Sequence, residues 1–339
     1  MSAWLDQRFG KRVRFAEPLS RHTSFRIGGP ADAWVEVQSA ADILDLQRAA
    51  KADGVPLAVL GIGTNVLVSD RGVRGIVIKL GRAFGALEWF VAPASVSVAP
   101  ASVPGGGAER RPARLRRATG AEAGATERAV HIRAGAAAPF KKLVVDAAGR
   151  GLTGLEFAEG IPGSIGGGLL MNAGAFGGEI SHVVTGIVGV APDTGERYLP
   201  RAELRFGYRR FDLPPDLIIT HVDFALAPGD SAAIAAVMAE AKRKRDAKQP
   251  LGFPNAGSIF KNPPGEYAGR LIEAAGLKGK RIGGAMISEQ HANFIVNVGA
   301  ATASDVKRLM DEVADTVWRA RAIRLIPEIK LVGEWESAE

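Results

Sequence analysis

The sequence contains no cysteine. Disulfides, thiolate metal sites and cysteine nucleophiles are therefore excluded. Histidine is scarce: the five residues lie far apart along the chain, so a histidine-based zinc site is not expected. No apolar run reaches the roughly 18 residues that a membrane helix needs. The opening MSAWLDQRFGKRVRF has no apolar signal core, so secretion is not expected. Aromatic residues are only 6% of the chain.

What is present is enough to fold. The chain has 339 residues, 47% of them hydrophobic, which suffices for two or three domains with real cores. The formal charge of +7 has two readings: solubility, or a preference for anionic ligands such as phosphorylated cofactors, nucleotides or nucleic acid.

Residues 20–82 read as a small α/β unit. Ser39 can cap a helix over 41–53, with Asp42 completing a weak capping box. Strand candidates lie at 33–37, 56–60, 65–68 and 75–80. Residues 83–128 break the pattern. Between Pro104 and Arg128 there are six arginines against three glutamates. Such a composition cannot bury enough surface to offset its ordering entropy, which predicts an inserted, mostly disordered loop. Its arginines have no aromatic neighbours to stack on bases, which argues against a nucleic-acid arm. Order resumes with a strand at 130–135, a helix at 140–148 and a glycine-rich loop at 160–178. Strands follow at 183–190, 196–200, 204–209 and 217–226, then a helix at 231–247. The remainder alternates: helix 266–275, strands 282–287 and 293–297, helix 302–320 and a last strand at 328–333.

Five segments carry chemistry. Gly61-Ile62-Gly63-Thr64-Asn65 follows a strand, where free backbone amides can face a phosphate; a tight structural turn reads the same way. The stretch 160–178, GIPGSIGGGLLMNAGAFGG, holds eight glycines in apolar surroundings. That suggests backbone set closely against a large flat ligand. Arg209, in FGYRR, could place a permanent charge in a cleft, though most arginines are simply solvated. Ser258, in NAGSIFKNP, has no nearby histidine and no nucleophile elbow. A hydroxyl donor fits it better than a nucleophile, and a turn serine remains the plain alternative. Glu328 lies in the apolar run from Ile326 to Val332, facing either solvent or a site.

Taken in order, these segments resemble the UDP-N-acetylenolpyruvoylglucosamine reductase family. The matching pieces are HTSFRIGG at 22–29, GIGTNVLVSD at 61–70, GLTGLEFAEGIPGSIGGGLLMNAGAFGGEI at 151–180, FGYR at 206–209, AGSIFKNP at 256–263 and ISEQHANFIVN at 287–297. The absence of tyrosine between Tyr208 and Tyr267 is similar to the family's shorter subtype, which lacks a tyrosine-bearing loop. Three features depart from the family pattern: the length of 83–128, Ala158-Glu159 before GIPG, and Arg210-Phe211 after FGYR.

The resemblance implies an α+β protein. An FAD-binding fold of the vanillyl-alcohol-oxidase type would comprise subdomains at 1–82 and 83–225, and an α+β substrate domain would occupy 226–339. It implies non-covalent FAD, NADPH as hydride donor, and a UDP-sugar enolpyruvyl ether as substrate. A cytoplasmic location is expected, with no nucleic acid, membrane, metal or obligate protein partner. The catalytic positions would be Arg209, Ser258 and Glu328. The cofactor positions would be Gly61, Gly63, Thr64, Asn65, Leu67, Ile161, Pro162, Gly163, Ser164, Gly167, Asn172, Gly174 and Ala175. The substrate positions would be Tyr208, Lys248, Asn262 and Glu289.

The composition of 83–128 yields a first prediction. Deleting residues 92–126 should leave folding, flavin content and turnover largely intact, because loop length itself costs little free energy. A deletion protein that purifies colourless or inactive would show the segment to be structural.

Overall fold

The computed structural model describes residues 1–91, 129–250 and 252–335. The first sheet has four strands in the order Val13–Pro18, Pro30–Val37, Val73–Leu80, Leu57–Val59. The first pair is antiparallel and the others are parallel. The helix Ala40–Asp53 makes the crossover that a parallel pair requires. Ser39 caps it by accepting from the Asp42 amide at 3.1 Å. The capping box is only half built: the Asp42 carboxylate accepts from the Gln38 amide and meets Arg8 and Arg12.

The second sheet has six strands. Its main path runs Gly195–Pro200, Val184–Ala191, Ile218–Pro228, Val130–Gly135, Leu87–Val91, with Leu152–Thr153 added beside Ile218–Pro228. Every pairing in it is antiparallel. The helix Phe140–Gly149 buries Phe140, Leu143, Val144 and Ala147, the stripe that a 3.6-residue period places on one face. One apolar cluster runs without a break from the first sheet to the second, through Ile76, Ile78 and Leu80 to Phe84 and Ile132.

Three sequence expectations change. Residues 87–91 are a strand, not irregular chain, because Leu87 to Val91 pair in register with Val130 to Ala134. The rest of the expected insertion, 92–128, lies outside the described residues. The glycine-rich stretch is not all loop: Ser164 caps a short helix, Ile165–Leu170, by accepting from Gly167 N at 3.3 Å. The strand expected at 204–209 is instead a small hairpin, Phe206–Gly207 against Arg210–Phe211, with Tyr208 and Arg209 at its tip.

The C-terminal part has its own apolar cluster, built on the helices Ala268–Ala274 and Ala303–Arg321. A three-stranded sheet, Arg281–Ile282, Ala285–Ile287 and Ile295–Asn297, accompanies them. Phe25, Ile27 and Leu67 enter this cluster from the N-terminal part. The chain then returns: Lys330–Val332 pairs in parallel with Val66–Val68. A polar tie reinforces the junction. The Asp70 carboxylate accepts from the Ala303 and Ser304 amides at 2.7 and 2.8 Å, while Thr302 and Asp305 form a complete capping box on the same helix. The free amides of that helix end are thus met largely from across the junction.

Asp70→Ala removes these acceptors without altering a core residue. It should lower the urea midpoint by the equivalent of about 0.5–2 kcal/mol, the usual worth of a helix N-terminal acceptor, with an unchanged m-value. An unmoved midpoint would show that water replaces the carboxylate at no cost.

Candidate active site

A cavity of about 740 Å³ opens where the sheets and the C-terminal part meet. One wall is Gly61 to Val66. Gly63 must be glycine: its φ is 66°, and a Cβ there would stand 2.1 Å from the His22 carbonyl oxygen. From beneath, Lys79 Nζ donates to the Gly61 carbonyl at 3.0 Å. Burial pushes the Lys79 ammonium below its usual pKa, with Glu36 pulling the other way. The opposite wall is Gly160 to Ser164 with Gly167, Gly168, Met171 and Gly174. Thr64 Oγ1 donates across to the Pro162 carbonyl at 3.3 Å.

The three expected catalytic residues all line this cavity. Arg209 lies at φ 53°, uncommon for a residue with a side chain. Two contacts hold its guanidinium: Nε donates to Glu328 Oε1 at 3.0 Å, and a terminal nitrogen donates to the Gly174 carbonyl at 2.8 Å. Burial raises the Glu328 carboxyl above its usual pKa, while Arg209 and Lys261 oppose this. Desolvation is the largest of these effects, so the direction is upward despite the ion pair.

Ser258 is placed beside Glu328 through the backbone. Glu328 N donates to the Ile259 carbonyl at 2.7 Å, and Lys261 N donates to the Ile326 carbonyl at 2.8 Å. Buried Asn293 clamps the same segment, accepting from Phe260 N at 3.0 Å and donating to its carbonyl at 2.8 Å. The Ser258 hydroxyl makes no hydrogen bond among the described residues, so it is available to a ligand.

Of the expected cofactor positions, Gly61, Gly63, Thr64, Asn65, Ile161, Pro162, Gly163, Ser164, Gly167 and Gly174 line the cavity. Leu67, Asn172 and Ala175 do not. Leu67 is fully buried in the C-terminal cluster because its strand pairs with Lys330–Val332. Asn172 is buried and bonded within the protein. Ala175 pairs with Gly178 in a two-stranded ribbon.

None of the four expected substrate residues is on the cavity wall. Tyr208 is half exposed, its ring 5.1 Å from the Arg209 guanidinium carbon. Lys248 ends the helix Ser231–Lys248. The Asn262 side-chain oxygen accepts from Ala268 N at 3.1 Å, at the start of the next helix. Glu289 is exposed beyond Ile287.

Sequence reasoning missed Arg245. It lines the cavity, yet its Nε and one terminal nitrogen are buried without a hydrogen-bond partner among the described residues. Burial pushes its pKa down; Arg209 acts in the same direction and Glu159 opposes. Glu159, the charge that departs from the family pattern, is thus a partial counter-ion. In sequence Arg245 looked like one more cation in KRKRDAK. The available signal was periodic: it falls four residues after buried Ala241, on the buried face of the helix. Lys330, Ser24, Asn255 and Phe294 also line the cavity. No cluster of three or more metal-ligating residues occurs among the described residues. No helix among them is long and apolar enough to cross a membrane.

Comparison with known proteins identifies the family. Residues 31–130 match the FAD binding domain family, and residues 249–332 match the C-terminal domain of UDP-N-acetylenolpyruvoylglucosamine reductase. The chain is 44% identical over 323 residues to UDP-N-acetylenolpyruvoylglucosamine reductase 2 of Symbiobacterium thermophilum, covering 95% of this chain and 92% of that one. It is 42% identical over 322 residues to the Syntrophus aciditrophicus reductase, with coverage of 95% and 92%. The crystal structure of the Thermus caldophilus reductase matches with a TM-score of 0.72 at 32% identity, covering 94% of this chain and 98% of that one. The chain belongs to the UDP-N-acetylenolpyruvoylglucosamine reductase family.

Proposed function

We propose that this chain reduces the enolpyruvyl ether of UDP-N-acetylglucosamine to UDP-N-acetylmuramate, a step of peptidoglycan precursor synthesis. The cofactor is FAD and the reductant is NADPH. The observation that carries this reading is convergence. Arg209, Ser258 and Glu328, from three separate segments, face one cavity whose other walls are glycine-rich. A nucleotide-linked substrate and a pyridine-nucleotide reductant support a cytoplasmic location.

The cavity suits FAD on its own terms. A Cβ at Gly257 would meet no protein atom within 4 Å, and one at Gly163 would meet only Thr64 Oγ1, at 3.5 Å. Both residues line the cavity, so side chains there would occupy ligand space. Arg245 and Lys330 bring positive charge for a diphosphate. The residues that would hold the cofactor are Gly61 to Asn65, Ile161 to Ser164, Gly167 and Gly174. When bound, FAD supplies the hydride relay from NADPH to the β-carbon of the enolpyruvyl double bond.

The protein's part is dictated by the charge that hydride addition creates. An unsaturated carboxylate that gains hydride becomes an enediolate, with extra negative charge on its oxygens. Arg209, largely buried, meets that charge without titrating. Glu328 has the wrong sign unless it is protonated. Its raised pKa favours the neutral acid, which can donate a hydrogen bond to the same oxygens. Ser258 then gives its proton to the α-carbon, and Lys261 near Glu328 favours the alkoxide left behind. Hydride at the β-carbon and a proton at the α-carbon complete the saturated lactyl ether.

Two measurements test these roles. In anaerobic stopped-flow, Ser258→Ala should let NADPH bleach the flavin at near-native rate. Its reoxidation by saturating substrate should slow by about 10²–10⁴-fold, the usual worth of a general acid. Ser258→Cys should recover part of the loss. Reoxidation within about threefold of native, well short of that 10²-fold minimum, would end the assignment.

The second test is pH. Because the Glu328 pKa lies above its ordinary 4.5, the neutral form persists over a window beginning there. The reoxidation rate should be full below the raised pKa and fall as pH rises through it. Glu328→Gln, neutral at every pH, should lose that alkaline decline. An unchanged decline in the glutamine variant would assign it to another group.

A further inference from the structure

Asn172 was expected at the cofactor, and the structure places it inside the protein. It is 1% exposed, two residues past the helix Ile165–Leu170, whose Gly167 and Gly168 line the cavity. Its carboxamide makes three hydrogen bonds. Nδ2 donates to Glu179 Oε2 at 2.7 Å and to the Gly207 carbonyl at 3.1 Å. Oδ1 accepts from the Ser181 amide at 3.2 Å. Two acceptors on one side and a donor on the other leave only one orientation of the amide that satisfies all three. Its φ of 40° is a conformation that asparagine tolerates better than most residues.

Gly207 matters because Arg209 lies two residues beyond it. Phe206–Gly207 pairs with Arg210–Phe211, and the two residues between them are Tyr208 and Arg209. Asn172 therefore holds the base of the hairpin whose tip carries Arg209. Two residues further along the same loop as Asn172, the Gly174 carbonyl accepts from the Arg209 guanidinium at 2.8 Å. Backbone and side chain of Arg209 are thus anchored on one short segment, 172–174. Arg209 needs such anchoring, since its positive φ stores strain that persists only where neighbours over-determine it.

We propose that Asn172 is a positioning residue for Arg209. By holding the Gly207 carbonyl against the Glu179 carboxylate, it sets where the Arg209 guanidinium stands in the cavity. It thereby serves the half-reaction in which substrate is reduced, and not the half-reaction in which NADPH reduces the flavin. This rests on the reading of Arg209 as the charge that meets the enediolate.

Asn172→Asp is the direct test. It keeps the shape, the tolerance of positive φ and the acceptor for Ser181. It turns both donors into lone pairs facing Glu179 and Gly207. FAD content and flavin reduction by NADPH should stay near native, while single-turnover reoxidation by substrate should slow by roughly 10²-fold, the scale expected for an ångström-level misplacement. Added to Arg209→Ala, the same change should cost no more than about twofold further, because the residue through which it acts is already gone. Glu179→Gln in the Asn172→Asp protein should restore part of the rate, since the new amide can donate to the new carboxylate. If Asn172→Asp does not fold, Glu179→Ala carries the test: it removes one acceptor of the same amide, and reoxidation alone should slow.

Loss of flavin, equal slowing of both half-reactions, or full additivity with Arg209→Ala would each make Asn172 merely structural and overturn the proposal. If Arg209→Ala itself reoxidises normally, the reading of Arg209 falls and takes this one with it. If Arg209→Ala is slow while Asn172→Asp and Glu179→Ala are native-like, only the positioning role falls.

Discussion

The parallel pairing of Lys330–Val332 with Val66–Val68 joins the last strand of the described chain to one of its earliest. Asn65 sits at the edge of that pairing and does two things there. Its carbonyl accepts from Lys330 N at 3.0 Å, and its side-chain amide donates to the Glu328 carbonyl at 3.2 Å. A residue on the glycine wall thus fixes the backbone of the acid. Glu328 in turn reaches Arg209, 119 residues away in sequence. Without the returning strand, Glu328 and Lys330 would not face the cavity, and Ser258 would lose the chain that aligns it.

The cavity gathers charge of mostly one sign. Arg209, Arg245 and Lys330 face it, and Glu328 is the one acid among its lining residues. Arg245 shows the cost most plainly. Burying guanidinium nitrogens without hydrogen-bond partners is unfavourable, and the Glu159 charge and the Phe176 ring, 5.3 Å from the guanidinium carbon, offset only part of it. Such an arrangement is sustained by what it can bind: an anionic or carbonyl-bearing ligand would satisfy the unpaired donors. The same burial raises the Glu328 pKa, and in the proposed reaction it would also strengthen Arg209 against the enediolate charge.

Local physics was readable from the chain. The helices Ala40–Asp53, Phe140–Gly149 and Ala303–Arg321 announce themselves through apolar spacing, joined in the first by a capping serine, because both act within a turn or two of backbone. The stretch 160–178 was legible as a ligand wall through its eight glycines in apolar surroundings, whereas Gly61 to Asn65 read equally as a tight turn, and at Gly63 it is the His22 carbonyl that leaves no room for a side chain. Ser258, Arg209 and Glu328 were nameable through the ordered set of motifs they share with a family. Their individual neighbourhoods left a turn serine as open as a donor, and favoured a solvated arginine and a solvent-facing acid.

Tertiary structure decided the rest. Whether Glu328 faces solvent or Arg209 depends on which strand Lys330–Val332 joins, a contact with no local signature. Strand Leu87–Val91 looked irregular because its stability comes from pairing with Val130–Gly135 across the intervening segment, not from its own pattern. Asn172 looked like a cofactor contact because it sits among cavity-lining glycines, yet its partners Glu179, Ser181 and Gly207 turn it inward. Arg245 looked like solvated charge because a run of cations hides which one shares the buried face. The sequence by itself determined the longer helices, the glycine-rich stretch 160–178 and the family. Only the folded chain determined which polar groups lose water and which find partners, because desolvation and long-range pairing depend on residues far apart in sequence.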